Sequence, residues 1–441
     1  MKKEAVEKTA PHLVVATWGS FGDVHPYLAI AQEWQRRFES RGGRATIASC
    51  EMFRSAAENA GLGFRAIRPD LPDTSKNPDF YHRVLDPVRG GARYLLRETW
   101  GKHACESYDD LFAATHDADV FLSHSMCVVA PLVAAKRANN LRWVSGIVSP
   151  MFLQSVYEAP SLPFIPQLAD VPVLGKLASR AWNAWLQRWL REPLRPIEDL
   201  RHELHLPRAK HPLFHDAHSP HRVLALWSKT FADVQPDWPK PARVVGFCHF
   251  DRAPQTPNTR SSTRIEEFLS KGDAPILFTL GASSALDAGH FWRESLASVR
   301  QLKRRAIFAV GVAPENWPGE LQNLPPDVLA LSYVPLSQVV SRCAAVVHHG
   351  GIGTLAQCLE ASVPSLIMPH SQDQPDNAWR ARKMGVARLV SRRNYTSPRV
   401  VPMLQTLMQD AKIRHRVLEV GHAMQNEHGA QTACDWLQCE L

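Results

Sequence analysis

The sequence predicts an α/β protein with two domains, each built on a doubly wound parallel sheet. Both halves of the chain alternate short apolar runs, long enough for buried strands, with segments of helical periodicity. In both halves a glycine-containing turn joins a strand to the following helix, at residues 18–26 and again at 349–354. The 441 residues, of which 45% are apolar, suffice for two or three domains with complete cores.

The first domain is predicted over residues 11–235. Its first strand, at residues 12–17, leads through the glycine-rich turn into a helix with apolar residues at helical spacing. We expect that helix to start at Pro26 with His25 as its N-cap, because proline suits the first helical position. Further strands are predicted at residues 45–48, 120–122 and 142–148, and further helices at 52–60, 89–117 and 175–191.

A proline-rich linker is predicted at residues 236–263, with a short strand at 243–247 inside it. The second domain follows at residues 264–412. Its strands are predicted at residues 275–280, 304–310, 330–333, 344–348, 363–369 and 388–390. Residues 413–441 are predicted to be helical.

The turn HGGIGT at residues 349–354 is a candidate anion site. Its glycines let the backbone approach a ligand closely, and the first N–H groups of the next helix lack an intrahelical acceptor. The helix dipole favours negative charge, while His349 adds a side-chain donor and Thr354 a hydroxyl. No Walker A lysine follows, which argues against a P-loop NTPase, and the glycine spacing fits the dinucleotide fingerprint only in its looser form.

Asp23 and His124 are the candidate catalytic residues of the first domain. Each follows the carboxyl end of a predicted strand, where open α/β sheets bind their ligands. A solvated aspartate, with a pKa of about 3.9, is a weak base, so burial or a neighbour such as His124 would have to assist it. The alternative roles are structural: Asp23 as a helix N-cap, and His124 as a hydrogen-bonded histidine at a strand end.

The turn HGGIGT, followed by PHSQDQPDNA at residues 369–378, resembles the donor-site signature of family 1 nucleotide-sugar glycosyltransferases of the GT-B fold. The segment YVP at residues 333–335 is similar to the base-binding turn of that family. The resemblance covers nearly the whole chain from His12. It implies two Rossmann-like domains that face each other across a cleft, and a last helix within 413–441 that crosses back to the first domain.

The resemblance implies a donor site in the second domain. His349, the helix start and the small-residue turn after the strand at 275–280 would hold the diphosphate of a nucleotide sugar. Asp373 and Gln374 would hold sugar hydroxyls, and the segment at 333–335 the base. The implied donor-binding residues are Gly281, Ser283, Tyr333, Val334, His349, Gly351, Gly353, Thr354, Asp373 and Gln374. Ala282 stands where the family often has serine.

The resemblance also implies an inverting transfer. The family's base is usually histidine, but a subgroup with Gly-Ser-x-Gly-Asp carries aspartate, and this chain has GSFGD at residues 19–23. The base takes the proton of an acceptor hydroxyl as its oxygen attacks the anomeric carbon, which is worth roughly 10²–10⁴ in rate. His124 stands near the place of the family's orienting aspartate, so the two roles could be reversed. The implied acceptor is a hydrophobic alcohol or a hydroxy-lipid.

The acceptor-binding residues are predicted to be Ser20, Phe21, Phe152 and Phe164. The first two lie in the glycine-rich turn, and the others in an apolar, proline-broken loop at residues 149–166. The helix at 175–191 that follows is rich in tryptophan and flanked by cations. Three interpretations stay open for it: a membrane-interface helix, a wall of an apolar acceptor pocket, or a core helix with a basic outer face.

The net charge and the cysteines limit the possible binding partners and the cellular compartment. The formal net charge of +8 would attract a nucleotide sugar or an anionic membrane, and no motif that reads nucleic acid is present. The eight cysteines are scattered without a CxxC pair, and no apolar stretch has the length of a signal-peptide core or a transmembrane helix. We therefore expect a cytoplasmic protein, with peripheral contact to the inner face of the membrane left open. Neither a metal nor a cofactor is expected, and the sugar donor is a co-substrate.

Within the family, the sequence most resembles rhamnolipid-type rhamnosyltransferases and sterol glycosyltransferases. Segments PDWP at 236–239 and YVPL at 333–336 carry this resemblance, which implies TDP-rhamnose or a UDP- or TDP-hexose as donor. Two alternatives remain. A nucleotide-sugar epimerase of this architecture would need no acceptor pocket, which the aromatic region at 150–190 argues against. A non-catalytic partner subunit could have lost Asp23 or His349, and both are present.

Overall fold

The computed structural model describes residues 10–72, 77–87, 89–138, 141–158, 175–250 and 259–441. The strands are β1 (His12–Ala16), β2 (Arg44–Ser49), β3 (Gly63–Ala66), β4 (Val120–His124), β5 (Arg142–Ile147), β6 (Val223–Ala225), β7 (Ala242–Val244), β8 (Ile276–Thr279), β9 (Ala306–Ala309), β10 (Val328–Leu331), β11 (Ala345–His348), β12 (Ser365–Ile367) and β13 (Ala387–Leu389). The helices of the first half are α1 (Phe21–Phe38), α2 (Arg54–Asn59), α3 (Pro78–Val84), α4 (Gly91–Leu96), α5 (Ala104–Ala114), α6 (Ala130–Lys136), α7 (Gly175–Arg191) and α8 (Arg195–Glu203). Those of the second half are α9 (Thr259–Leu269), α10 (Gly281–Ser284), α11 (Phe291–Leu302), α12 (Leu336–Val339), α13 (Ile352–Glu360), α14 (Gln374–Lys383), α15 (Ser397–Gln409), α16 (Ala411–Met424) and α17 (Gly429–Gln438).

The strands form two parallel sheets with the same winding. The first sheet has the order β3-β2-β1-β4-β5-β6-β7, and the second has the order β10-β9-β8-β11-β12-β13. The central strands are apolar and buried on both faces, as parallel sheets covered by helices require. Both sheets are therefore doubly wound, and the predicted fold class is confirmed.

Each sheet has one switch point, where the strand order reverses and a crevice opens at the carboxyl ends of the strands. In the first sheet this point lies between β1 and β4, with Ala16 paired to Ser123. In the second it lies between β8 and β11, with Thr279 paired to His348. Ligands of doubly wound folds bind in such crevices. The fold thus places the residues that follow these four strands at two candidate sites.

Apolar side chains join the two halves of the molecule. One buried cluster combines Ile147 and Trp227 of the first half with Leu355 and Val420 of the second. The end of the chain also returns to the first sheet, where α17 packs on α1 and buries its apolar face in that core. An ion pair between Arg37 Nη1 and Asp435 Oδ1, at 2.6 Å, lies beside this contact.

Helix α1 starts one turn earlier than we predicted. Its first residue is Phe21 and its N-cap is Ser20, so Pro26 lies inside the helix and His25 is not the N-cap. The earlier turn is stabilised by Asp23, the third helical residue, which accepts hydrogen bonds from the backbone N–H and the hydroxyl of Ser20. These bonds offset the backbone hydrogen bond that proline cannot make.

Other elements also differ from the prediction. The short strands β3 and β6 were not predicted, and β7, within the segment predicted as a linker, is the last strand of the first sheet. The long helix predicted at 89–117 is interrupted by a π turn at Arg97–Gly101 between α4 and α5. The helical end of the chain consists of two helices, α16 and α17, rather than one. Among the described residues, no helix combines the length and apolar character needed to cross a bilayer.

Candidate active site

Asp23 lies at the first switch point, in the first turn of α1. Its Oδ2 atom accepts hydrogen bonds from Ser20 N at 2.7 Å and from Ser20 Oγ at 2.9 Å. Gly19 has a φ of +135°, and any Cβ at that position would overlap Asp23 Oδ2. Glycine is therefore required beside the carboxylate for steric as well as conformational reasons. The Asp23 side chain stays partly exposed at the carboxyl end of the sheet.

His124, the last residue of β4, lies behind Asp23 and is only 1% exposed. Its Nδ1 atom is 3.0 Å from the carbonyl oxygen of Trp18. A carbonyl can only accept, so Nδ1 carries the proton. Burial lowers the pKa of His124, with Asp23 opposing the shift, so the ring is neutral near pH 7. Its Nε2 atom then presents a lone pair and has no hydrogen-bond partner in the part of the chain that the structure describes.

His349 lies at the second switch point, where its ring is packed between Gly281 and Gly351. A Cβ on Gly281 would lie 2.8 Å from His349 Cε1, and a Cβ on Gly351 would overlap His349 Nε2. The imidazole therefore fills the space that side chains at both positions would need. Burial lowers the pKa of His349 to about 4, so at neutral pH the ring is an uncharged hydrogen-bonding group.

The start of α13 completes the turn. Gly351 is the N-cap residue, and its carbonyl accepts the first helical bond from Leu355 N at 3.0 Å. The N–H groups of Ile352, Gly353 and Thr354 precede that bond and have no intrahelical acceptor. A Cβ on Gly353 would meet nothing within 4 Å. This helix start therefore combines backbone donors that lack an intrahelical acceptor with open space beside Gly353, which suits the binding of an anion.

Asp373 connects the two switch points electrostatically. Its pKa is raised to about 7, first by burial and then by the negative charge of Asp23. Asp373 Oδ2 accepts a hydrogen bond from Asn377 Nδ2 at 2.7 Å, and the same nitrogen contacts the carbonyl of Gly350 at 3.1 Å. Asn377 thus ties Asp373 to the glycine turn, and the first domain's Asp23 faces this assembly.

Gln374 forms three hydrogen bonds within its own domain. Its Oε1 atom accepts hydrogen bonds from His370 N at 2.9 Å and from Ser371 N at 3.2 Å, and its Nε2 atom donates to Ser284 Oγ at 3.4 Å. These bonds fix the loop between β12 and α14 against α10. A contact from Gln374 to a sugar would have to replace one of them or use a remaining donor.

The structure describes most, but not all, of the other predicted site residues. Tyr333 is 53% exposed just after β10, and Val334 is buried beneath it. Ser283 belongs to the backbone of α10, but its side chain lies outside the described residues, as does the whole of Phe164. Phe21 packs edge-on against Phe53 at 5.2 Å between ring centroids. Phe152 is partly buried between the first core and the cluster shared by both halves, and Ser20 is bonded to Asp23.

Buried polar atoms without a hydrogen-bond partner in the described part of the chain gather around the second switch point. They are His348 Nε2, His349 Nδ1, His370 Nδ1 and Nε2, Ser371 Oγ and Asn377 Oδ1. Such atoms are few in folded proteins and call for a partner such as water or a ligand. A concentration of them beside an open helix N-terminus favours a polar ligand site. No group of three or more potential metal-ligating side chains occurs within the described residues.

The chain is similar to known glycosyltransferases over almost its full length. Residues 294–434 match the family model described as Erythromycin biosynthesis protein CIII-like, C-terminal domain. O-mycaminosyltylonolide 6-deoxyallosyltransferase of Streptomyces fradiae is 27% identical over 432 residues, which are 96% of each chain. The sterol 3-beta-glucosyltransferase of Candida albicans is 24% identical; the match spans all of this chain but 28% of that protein's length.

Solved structures show the same architecture. The glycotransferase of kitacinnamycin superposes with a TM-score of 0.70 at 19% identity, covering 98% of this chain and 99% of that one. The Streptomyces sp. SF2575 glycosyltransferase SsfS6, complexed with thymidine diphosphate, gives a TM-score of 0.62 at 17% identity and covers 97% and 99%. The chain is a glycosyltransferase with the GT-B fold, and it is similar to family 1 enzymes. The finer rhamnosyltransferase subgroup stays a prediction.

In this glycosyltransferase, sequence reasoning gave no role to His370, Asn377 or Arg380. His370 follows β12, and burial, with the charge of Arg392 next, lowers its pKa to about 2. The rule that ligands meet strand carboxyl ends could have indicated it. Arg380 joins α14 to the first domain through a 2.8 Å ion pair with Glu158, and it also binds Asp376 at 2.8 Å. Nothing in the local sequence predicts that long-range pair.

Proposed function

We propose that this enzyme is an inverting transferase that moves a sugar from a nucleotide diphosphate sugar to a hydroxyl of a hydrophobic small-molecule or lipid acceptor. The observation that carries the proposal is the proximity of the two switch points. They are close enough for the negative charge of Asp23 to raise the pKa of Asp373. A base of the first domain then faces a sugar-binding carboxyl of the second. Transfer requires that the acceptor oxygen and the anomeric carbon meet between them.

The donor side rests on the anion site at α13. The three N–H groups without an intrahelical acceptor and the neutral imidazole of His349 would hold the diphosphate and stabilise its charge as it leaves. Gly281, Ser283 and Thr354 would add contacts to the same phosphates. The complex of SsfS6, a protein of the same architecture, with thymidine diphosphate supports a nucleotide diphosphate as the ligand. TDP-rhamnose or a UDP- or TDP-hexose is the proposed donor, with Tyr333 and Val334 at the base.

We assign the proton acceptor to Asp23 rather than His124. The carboxylate of Asp23 is partly exposed, whereas Nε2 of His124 is enclosed by protein. Asp23 would take the proton of the acceptor hydroxyl while the oxygen bonds to the anomeric carbon. The bond to the diphosphate oxygen breaks on the opposite face, so configuration inverts. His124 is then a positioning residue, which holds the Trp18 carbonyl at the start of the glycine-rich turn through its Nδ1–H.

The acceptor is proposed to be apolar around its reacting hydroxyl. Phe21 and Phe152 pack partly buried against the first core, and their remaining surface would contact the acceptor. The two relatives described above carry O-mycaminosyltylonolide and sterol in their names, which supports a bulky, largely apolar acceptor. Sugar hydroxyls would meet Asp373 and Gln374 on the other side.

The experiment is a transfer assay with donors of α configuration, such as TDP-glucose and UDP-glucose, and a panel of hydrophobic alcohols. We expect nucleotide diphosphate release that depends on acceptor, and a β-linked product by NMR. An α-linked product would refute inversion. Release of nucleotide with formation of an epimerised free sugar, independent of acceptor, would refute the transferase assignment of this site.

A further inference from the structure

The tryptophan-rich helix α7 has apolar residues on two faces, one buried in the core and one exposed. Leu177 is 61% exposed and Trp185 49% exposed, with Ala181 exposed between them on the same face. The buried face contains Leu186 and Leu190 together with Ser179 and Asn183. A surface helix normally turns its apolar stripe towards the core. Packing against the core therefore explains the buried leucines of α7, but not the outward stripe of Leu177, Ala181 and Trp185.

The indole rings of α7 form a short ladder on this surface. Trp182 and Trp185 have centroids 4.8 Å apart, and Trp185 and Trp189 are stacked at 5.6 Å with an interplanar angle of 11°. The stacked rings hold one another in an ordered array rather than as single mobile side chains. Indole, with an apolar body and a polar N–H, is the side chain that favours the boundary between hydrocarbon and water.

Cations border the apolar stripe. Helix α7 contains four basic residues and no acidic one, and Lys176, Arg180 and Arg188 are exposed. Lys176 also lies 4.2 Å from the ring centroid of the exposed Tyr157, which extends the surface towards the loop before the helix. We call Lys176, Leu177, Arg180, Ala181, Trp185 and Arg188 the α7 face.

We propose that the α7 face docks this enzyme on the surface of an anionic phospholipid membrane. The tryptophan and leucine side chains would enter the headgroup boundary while the cations contact lipid phosphates, as in interfacial amphipathic helices. A second copy of the chain is a poor partner for this face, because a symmetric dimer would bring two sets of basic side chains together without any acidic ones. The helix lies on the membrane and does not span it.

Docking would bring the acceptor side of the cleft to the lipid. Asn183 Nδ2 donates to Ser155 O at 3.3 Å, and Gln187 Nε2 donates to Gln154 Oε1 at 2.7 Å. These bonds fix α7 to the loop that carries Phe152. Delivery of a hydrophobic acceptor from the bilayer rests on the proposed function, whereas membrane binding itself does not.

The test is co-sedimentation of the full-length protein with vesicles of phosphatidylcholine alone and of an equimolar mixture with phosphatidylglycerol. No donor or acceptor is present, so failure of the transferase proposal would not affect the result. The variants are Leu177→Ser with Trp185→Ser, and Arg180→Glu with Arg188→Glu. The matched controls lie on α16: Leu418→Ser, which is 57% exposed, and Lys412→Glu with Arg414→Glu.

We expect wild-type protein to bind the anionic vesicles, more weakly at high salt, and both α7 variants to bind about tenfold more weakly or worse. The α16 controls should bind like wild type. The proposal is overturned if wild type ignores anionic vesicles, if α7 and α16 variants lose binding equally, or if neither α7 variant loses any. If the wild type does not bind vesicles but self-associates, and the α7 variants do not self-associate, the α7 face would instead bind a second copy of the chain.

Discussion

Replacing Asp23 with asparagine separates the structural role of this residue from its catalytic one. The structure gives Asp23 Oδ2 two hydrogen bonds from Ser20, and an asparagine side chain can keep an accepting oxygen at that position. The substitution removes the negative charge and the ability to take a proton. Asp23→Asn therefore tests proton transfer while leaving most of the first turn of α1 in place.

The expected magnitudes differ between the two roles. Loss of a general base should lower kcat by roughly 10²–10⁴-fold, which is about 3–5 kcal/mol on the activation barrier. Loss of a charge at a helix N-terminus should lower the free energy of unfolding by about 0.3–1 kcal/mol. Removing the charge of Asp23 should also lower the pKa of Asp373, because that charge is one cause of its elevation. Donor affinity should change little.

The assay measures kcat and KM for donor with one acceptor, together with the thermal midpoint, for Asp23→Asn and for Ser20→Ala. The Ser20 variant removes the N-cap hydroxyl, which should lower stability by about 0.5–2 kcal/mol, but it keeps the carboxylate. We expect the large loss of kcat in Asp23→Asn alone. Full activity in Asp23→Asn, or an equal loss in Ser20→Ala, would refute the assignment of Asp23 as base.

The remaining predictions concern the second domain. Gly351→Ala should raise donor KM more than it lowers kcat, because its Cβ would displace the His349 ring. An unchanged KM would show that donor binding does not depend on the position of that ring. Since the folded pKa of Asp373, about 7, exceeds the unfolded value of 3.8, the native state binds the extra proton, and this residue's contribution to the free energy of unfolding falls as pH rises from about 4 to about 7. Asp373→Asn should remove that part of the pH dependence, which denaturant titrations at pH 5 and 7.5 would measure. An equal change in the free energy of unfolding between the two pH values in the variant and the wild type would contradict the prediction. Treatment with EDTA, followed by gel filtration, should leave kcat unchanged, and loss of activity that Mg²⁺ restores would show a metal requirement.

Sequence reasoning predicted the fold well because the central strands are apolar runs joined by glycine turns, a pattern set locally. It missed β3 and β6 because a half-exposed four-residue strand and a three-residue strand carry little periodicity. The start of α1 was wrong because the two hydrogen bonds from Ser20 to Asp23 outweigh the preference of proline for the first position.

In the candidate site, too, local features could be predicted from the sequence and long-range contacts could not. The glycine turn at 349–354 and Asp23 could be named from motifs, because backbone needs restrict the residue types there. The tie from Asn377 to Gly350 and the pair of Glu158 with Arg380 join residues far apart in sequence, so no local pattern contains them. Which face of α7 points outward also depends on packing partners, and periodicity alone left three interpretations open.

Donor binding tests the central claim most directly. Isothermal titration calorimetry of the wild type and His349→Ala with TDP, UDP and their sugars, without acceptor, isolates the second switch point from the rest of the reaction. We predict saturable one-to-one binding of at least one nucleotide diphosphate sugar by the wild type, and a marked loss of affinity in His349→Ala with an unchanged fold by circular dichroism. Absence of binding for every nucleotide, or equal affinity in the variant, would contradict the donor site at the His349 turn.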